Sequence, residues 1–280
     1  LLNPGVPNGT YGSSEYRRQT SYDPYPVTAR SWSAYLRYGL PARNPRNGCR
    51  HCCGGCHPSS SNNRIWTYRS FPADGELVGL ICLNGAGKST TINEIIGLLT
   101  PYGGQIAIDG LTIQQDSASY RKKIGYIPET PNLYEELTLR EHLETVLMAY
   151  GLDVTEGMAR ADKYLKLFRL DEKLDWFPTQ FSKGMKQKVM IICAFIVNPS
   201  LLIVDEPFLG LDPLAISDLI ELLAEEKAKG KAILMSTHVL DSAEKMCDRF
   251  VILHHGQVLA QGTLDGLRQT FGDSSASLND

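Results

Sequence analysis

Residues 76–98 read ELVGLICLNGAGKSTTINEIIGL. An apolar run, Leu77 to Ile81, enters a glycine-rich turn. Lys88, Ser89 and Thr90 close the turn and open an amphipathic segment with Ile92, Ile95, Ile96 and Leu99 on one face. Strand, glycine-rich loop and helix in that order are the context of a phosphate-binding loop. Successive backbone N–H groups of Asn84, Gly85, Ala86 and Gly87, continuing into Lys88, Ser89 and Thr90, can cradle phosphate oxygens. The helix N-terminus adds partial positive charge. Lys88 supplies a mobile full charge for the β- and γ-phosphates, and Ser89 a hydroxyl for Mg²⁺. A structural turn carrying a chance Lys-Ser pair is the rival, and the flanking pattern argues against it. One position departs from G-x-x-x-x-G-K-[ST]: its first glycine falls on Cys82. A left-handed backbone there would cost a non-glycine residue about 1–2 kcal/mol.

The net charge of −3 and pI near 6.1 leave no nucleic-acid footprint. No run of about eighteen apolar residues is present, so no stretch reads as a membrane span. The first residues lack the basic and apolar regions of a secretory signal. The charge average hides a division. Residues 1–72 hold nine Arg, no Lys and two acids, Glu15 and Asp23, whereas the rest holds nineteen basic and twenty-nine acidic residues. Rich in Ser, Pro, Gly, Asn and Tyr, residues 1–72 bury too little apolar surface to offset chain entropy and are expected to be mostly disordered. A basic interaction arm, a small metal-stapled module and a non-native leader compete as readings. Arg-only usage without an initiator Met favours the leader. Cys49, Cys52, Cys53 and Cys56, with His51 and His57, suggest zinc, but the two CxxC pairs abut instead of standing apart on a long spacer. Cys82, Cys193 and Cys247 are scattered, as expected of reduced, buried thiols.

Downstream, a strand is expected over Gln105–Asp109 with a turn at Asp109-Gly110, and another over Ile124–Ile127 ended by Pro128. Thr138 and Glu141 form a capping box for a helix that Gly151 stops. A second helix runs from about Thr155 to Leu170, so a helical insert spans about 130–180. Ser182 then caps a helix whose face is Val189, Met190, Ile192 and Ile196. Leu201 to Val204 is continuously apolar, as in a parallel strand buried on both faces, and ends in Asp205-Glu206-Pro207. Two carboxylates at the end of a buried strand are costly without a cation or polar partners. A structural pair capping the sheet is the plainer alternative. Asp212-Pro213 opens a helix stopped by Gly230, with Glu225, Glu226, Lys227, Lys229 and Lys231 as a solvated face. Ala232–Ser236 is a buried strand, and His238 follows its end, where ligands of open α/β sheets gather. A helix, two strands joined at His255-Gly256, a short helix and a polar tail over 273–280 complete the chain.

Together these stretches resemble the ATP-binding subunit of an ABC transporter over about residues 73–270. Within that family the chain is most similar to bacterial exporter ATPases of the Ecs type, which pair with separate permeases. The resemblance implies an α/β P-loop NTPase fold: a mostly parallel sheet, a helical subdomain and an incomplete or altered N-terminal β-subdomain, in a domain spanning 73–272. CLNGAGKST matches the phosphate loop except at Cys82. LLIVDE matches the acidic strand, with Asp205 as a Mg²⁺ ligand and Glu206 polarising the attacking water. FSKGMKQ occupies the signature, usually LSGGQ; Ser182 and Gly184 match, and Phe181, Lys183 and Met185 do not. Gly210-Leu211-Asp212-Pro213 resembles the D-loop, with Asp212 at the nucleotide, and His238 the switch histidine. Glu129 stands where the family has a glutamine and could also meet Mg²⁺. No adenine-stacking aromatic is assigned, Trp66 and Tyr68 being the nearest. The resemblance implies ATP and Mg²⁺ as ligands, with Lys88, Glu206 and His238 catalytic. It also implies a second copy of the subunit and a membrane permease as partners, no nucleic acid, and residence at the cytoplasmic face of the cell membrane. A nucleotide-binding module with turnover impaired by Cys82 and the leader is the alternative.

Overall fold

The computed structural model describes residues 72–82, 86–101, 103–238 and 240–271. The leader, the Cys49–Cys56 cluster, Trp66, Tyr68, Asn84, Gly85 and the polar tail lie outside the described residues.

β1 (Leu77–Cys82) runs into α1 (Lys88–Ile95) as the opening stretch predicts. Cys82 pairs in register with Leu253, so its backbone is extended and the left-handed cost does not arise there. The left-handed turn falls instead on Gly87, at φ 113°, which a side chain would strain. α1 ends sooner than the apolar spacing suggests. Ile96 is its C-cap, Gly97 turns left-handed at φ 76°, and Leu99 is exposed instead of sharing the buried face. The expected strand at 105–109 shortens to β2 (Ala107–Ile108), hairpinned onto β3 (Leu111–Thr112) through Asp109-Gly110. Asp116 caps α2 (Ser117–Lys122), a helix too short to announce itself by periodicity.

β4 (Ile124–Ile127) leads to the helical insert, α3 (Leu139–Tyr150) and α4 (Val154–Phe168), joined at Gly151 in the left-handed conformation. Both bonds of the Thr138–Glu141 capping box are present. α5 (Lys183–Ile196) starts at Ser182, whose hydroxyl accepts from the Met185 N–H. β5 (Leu201–Asp205), α6 (Pro213–Ala228), β6 (Ala232–Thr237), α7 (Leu240–Met246), β7 (Arg249–His254), β8 (Gln257–Gly262) and α8 (Leu264–Phe271) follow.

The main sheet has the order β4-β5-β6-β1-β7-β8, parallel except for β8. Side chains alternate between its faces. Leu77, Ile81, Leu202, Val204, Ile233 and Met235 join one core with α3 to α6. Val78, Leu80, Leu201, Ile203 and Leu234 join the other with α1 and the small hairpin. Both faces are therefore covered, which is why the Leu201–Val204 run has no polar break. One expectation fails on α6. Glu226 is not on a solvated face: it is 2% exposed and held by Lys229, at 2.7 Å, and by Lys231.

Candidate functional site

Sheet register assembles the site. Ile81 lies level with Thr237, and Asp205 with Ser236, so β5, β6 and β1 end side by side. Loops leaving three adjacent parallel strands at their carboxyl ends share one crevice. The strand axes of β1 and β5 stand about 10 Å apart with β6 between them, within reach of a long side chain. Lys88, the first residue of α1, crosses that gap, and its Nζ lies 2.8 Å from Glu206 Oε1.

Glu206 follows β5 with φ 46°, a left-handed backbone rare for a non-glycine residue. Its N–H donates to Ser236 O at 3.0 Å, which fixes the turn against β6. Just past β6, the backbone N–H of His238 donates to Glu206 Oε2 at 3.3 Å, and His238 Nδ1 lies 2.8 Å from the same oxygen. An ionised carboxylate has no proton to give, so this contact places the proton on Nδ1. Burial by itself pushes the Glu206 carboxyl up. The bonds from Lys88 and His238 outweigh it and hold the group below the ordinary carboxylate range.

Asp205 is shifted the other way. Burial raises its carboxyl, and the Glu129 and Glu206 charges add to the rise, against a hydrogen bond from Ser236 and the charge of Lys88. Tyr126 is pushed up to about 12 by burial and by Asp205 and Glu129. Glu129 is exposed, and its charge is felt at both Tyr126 and Asp205. Buried Ser236 was not legible as a site residue, and its only signal was its position two residues before His238. On the far side, the β7–β8 turn supports the phosphate loop: Gly256 N–H donates to Ala86 O at 2.9 Å.

The residues fit a magnesium nucleotide. A turn with left-handed Gly87, a lysine at the helix start and an exposed Ser89 hydroxyl suit phosphates and a metal. Burial first, and then the Glu129 and Glu206 charges, raise the Asp205 carboxyl, and adjacent carboxylates of this kind are hard-oxygen ligands whose charge a divalent cation would relieve.

Ser182, Gly184 and Asp212 form a second group at the start of α5. A Cβ on Gly184 would stand 2.5 Å from Gly210 O, so only glycine allows this approach of the signature turn to the loop before α6. Asp212 caps α6 through Ala215 N–H at 2.9 Å and accepts from Lys188 Nζ at 2.7 Å. The Lys188 bond holds the Asp212 carboxyl low. Gln187, the last residue of the FSKGMKQ stretch but given no role in the sequence, and Lys188, which reads as an ordinary helix position, tie α5 to its neighbours: Gln187 Nε2 donates to Pro128 O and Lys188 Nζ to Asp212.

A family model described as ABC transporter matches residues 72–209. The chain is 58% identical over 205 residues to the ABC-type transporter ATP-binding protein EcsA of Bacillus subtilis (strain 168), covering 73% of this chain and 83% of that one. It is similar to a solved ATP-binding subunit of an ABC transporter, with TM-score 0.74 and 56% identity, covering 76% of this chain and 89% of the other. It also resembles a dimeric ATP-binding cassette in a post-hydrolysis state bound to ADP and Pi, with TM-score 0.63 and 28% identity, over 71% and 89% of the two chains.

Proposed function

Because this chain belongs to the family of ABC transporter ATP-binding subunits, we propose that it powers an export cycle in which two copies close on ATP and act on a separate membrane permease. ATP binding and ATP hydrolysis come with the family. The direction of transport, the permease and the division of labour among residues are inferred. The observation that supports the division of labour is the convergence of Lys88 and His238 on Glu206, each at 2.8 Å, where β1, β5 and β6 end together.

Hydrolysis is in-line attack of water on the γ-phosphorus, and catalysis is positioning plus charge stabilisation. A triphosphate competes with one carboxylate for the Lys88 ammonium and carries more charge. Lys88 then turns to the β- and γ-phosphates and leaves Glu206 to polarise the attacking water. His238 keeps Glu206 aimed. The loop amides from Asn84 to Thr90 hold the phosphates. Mg²⁺, when bound, neutralises phosphate charge, and Ser89, Asp205 and Glu129 are the residues that would hold it.

Ser182, Gly184 and the α5 N-terminus serve the γ-phosphate of the second copy, and Asp212 lies at that seam. Exposed Leu209 and Leu214, which flank Gly210–Asp212, suit a surface that closes on another protein. Among the described residues no helix is long and apolar enough to cross a membrane. Attachment at the cytoplasmic face of the cell membrane therefore runs through the permease in this reading. Tyr134, Trp176 and Phe177, exposed on the helical insert, supply apolar surface for it. No observation favours impaired turnover, since Cys82 sits in extended backbone.

Glu206→Gln tests this assignment. We expect ATP binding to persist, turnover to fall by a hundredfold or more, on the order of a lost general base, and a dimer to accumulate in sedimentation with ATP. Undiminished hydrolysis would remove Glu206 from its role. Hydrolysis by a strictly monomeric protein would remove the two-chain site.

A further inference from the structure

We propose that His142 is a pH-sensitive latch on the loop that precedes α3. Neutral, its ring pins that loop through the Tyr134 N–H; protonated, it lets the loop go.

His142 stands one turn into α3 and is buried, and both its ring nitrogens are committed to backbone. Nδ1 lies 3.1 Å from Thr138 O, the carbonyl that starts the helix. Tyr134 N–H donates to Nε2 at 2.7 Å. A carbonyl only accepts and an amide N–H only donates, so the proton sits on Nδ1 and the lone pair on Nε2. The ring is thus neutral and in one tautomer. An imidazolium carries a proton on each nitrogen. Acid therefore puts a second donor where the Tyr134 N–H already points, and attraction turns into a clash of two hydrogens in a site with little water.

What the latch holds is a short turn. Residues 132–136 belong to no helix or strand, so this side-chain bond stands in for the ladder that would otherwise satisfy a backbone N–H. Leu137 N–H donates back to Tyr134 O at 3.3 Å, which carries the hold on to the start of α3. The exposed Tyr134 ring lies beside the His142 ring, with centroids 5.9 Å apart. The helix itself does not depend on the latch, because Thr138 and Glu141 cap it reciprocally. Release is therefore local: the loop opens while α3 stays folded.

The charges on the surrounding elements are spread on both sides of the balance. On α3, the Glu141 carboxylate feels the imidazole, and Arg140 pairs with Asp175 at 3.5 Å. The loop carries Glu135 and Glu136. The 171–177 segment, which accepts from α3 through Leu174 O and Trp176 O, carries Asp171, Glu172, Asp175 and Lys173, the last with its Nζ 3.9 Å over the Trp176 ring. α5 brings Lys183 and Lys186 in its first turns, and α4 meets α3 at the far end, where Gly157 packs on Leu147. Carboxylates favour the charged ring and lysines oppose it, but all of these groups are exposed or half-exposed, and salt screens them. The closed contact accepts only the neutral ring, so proton uptake and loop release are one step.

Tyr134 belongs to the apolar surface proposed above for the permease, so a pH-dependent grip on that partner rests on that reading; the latch is tested on the full chain alone. Amide hydrogen exchange, corrected for intrinsic rates, is measured at about pH 7.5 and about pH 5.5, on either side of the ordinary imidazole value. Protection of the Tyr134 N–H should fall about tenfold or more on acidification. The Glu141 N–H, held by the Thr138 hydroxyl, should stay within about twofold and so exclude general acid loosening. His142→Gln sets a neutral amide oxygen near the place of Nε2, and should keep Tyr134 protected at both pH values. Nitrogen NMR of the wild-type ring should show the proton on Nδ1 alone at the higher pH. Unchanged Tyr134 protection in the wild type, an equal fall in His142→Gln, or a proton on Nε2 at the higher pH would each overturn the latch. Should His142→Gln not fold, the wild type decides: the ring and the Tyr134 amide must titrate with one midpoint, and separate midpoints overturn the proposal.

Discussion

Gly184 shows how little room the site leaves at the scale of one residue. The carbonyl that a methyl there would meet, at 2.5 Å, belongs to backbone and cannot swing aside. Gly184→Ala should therefore push the signature turn and the Gly210 loop apart. We expect a loss of about 1–3 kcal/mol in urea unfolding and a drop in ATP turnover of tenfold or more, larger than the stability loss alone produces at room temperature. Wild-type turnover in a folded Gly184→Ala chain would show that the spacing of the two loops is unimportant. Lys88 and Glu206 illustrate the reverse case. Both were legible in the sequence, one from its loop and one from its apolar strand, but their 2.8 Å contact was not. Nothing local to either residue encodes a partner 118 positions away.

Among whole elements, α6 carries the correction with the clearest physical cause. Five charges near its C-terminus suggest a solvated face, yet the helix is rotated so that Glu226 faces inward under Lys229 and Lys231. Burial pushes its carboxyl up, but the hydrogen bonds and charges of the two lysines prevail and hold it below the ordinary range. A depressed carboxylate pKa contributes stability above the unfolded value, about 4.3 for Glu, and that contribution is lost as pH falls through the lower folded value. Glu226→Gln should cost about 1–3 kcal/mol at pH 7. The gap to wild type should narrow as the pH falls below about 4. A gap that is the same at pH 7 and at pH 3.5, measured by urea unfolding, would mean that the charge itself contributes nothing. By contrast, the starts of α3, α5 and α6 were readable in advance. Thr138, Ser182 and Asp212 each bond an N–H three residues on, so the whole signal lies inside one turn of chain.

For the molecule as a whole, nucleotide is expected to act as a stabiliser, because the cradle exists only when β1, β5 and β6 are paired. Mg-ATP at about a hundred times its Kd should add about 2.7 kcal/mol to folding, which raises Tm by about 5–10 °C in a domain of this size. Lys88→Ala, read in the same thermal scan, should lose most of that shift. An equal shift in the variant would mean that the nucleotide binds elsewhere. The local vocabulary of this fold could be written down from the chain alone: the glycine-rich turn with Lys88, the buried run ending in Asp205-Glu206, the caps, and the left-handed stop at Gly151. Each is set by residues within four positions of one another, or by an alternation every second residue. The sheet order β4-β5-β6-β1-β7-β8, the inward turn of Glu226, the link from Gln187 to Pro128 and the meeting of Lys88, Glu206 and His238 emerged only on folding. These depend on which distant strands pair and in what register, and that choice is made by packing two cores against opposite faces of one sheet, not by any short stretch of sequence.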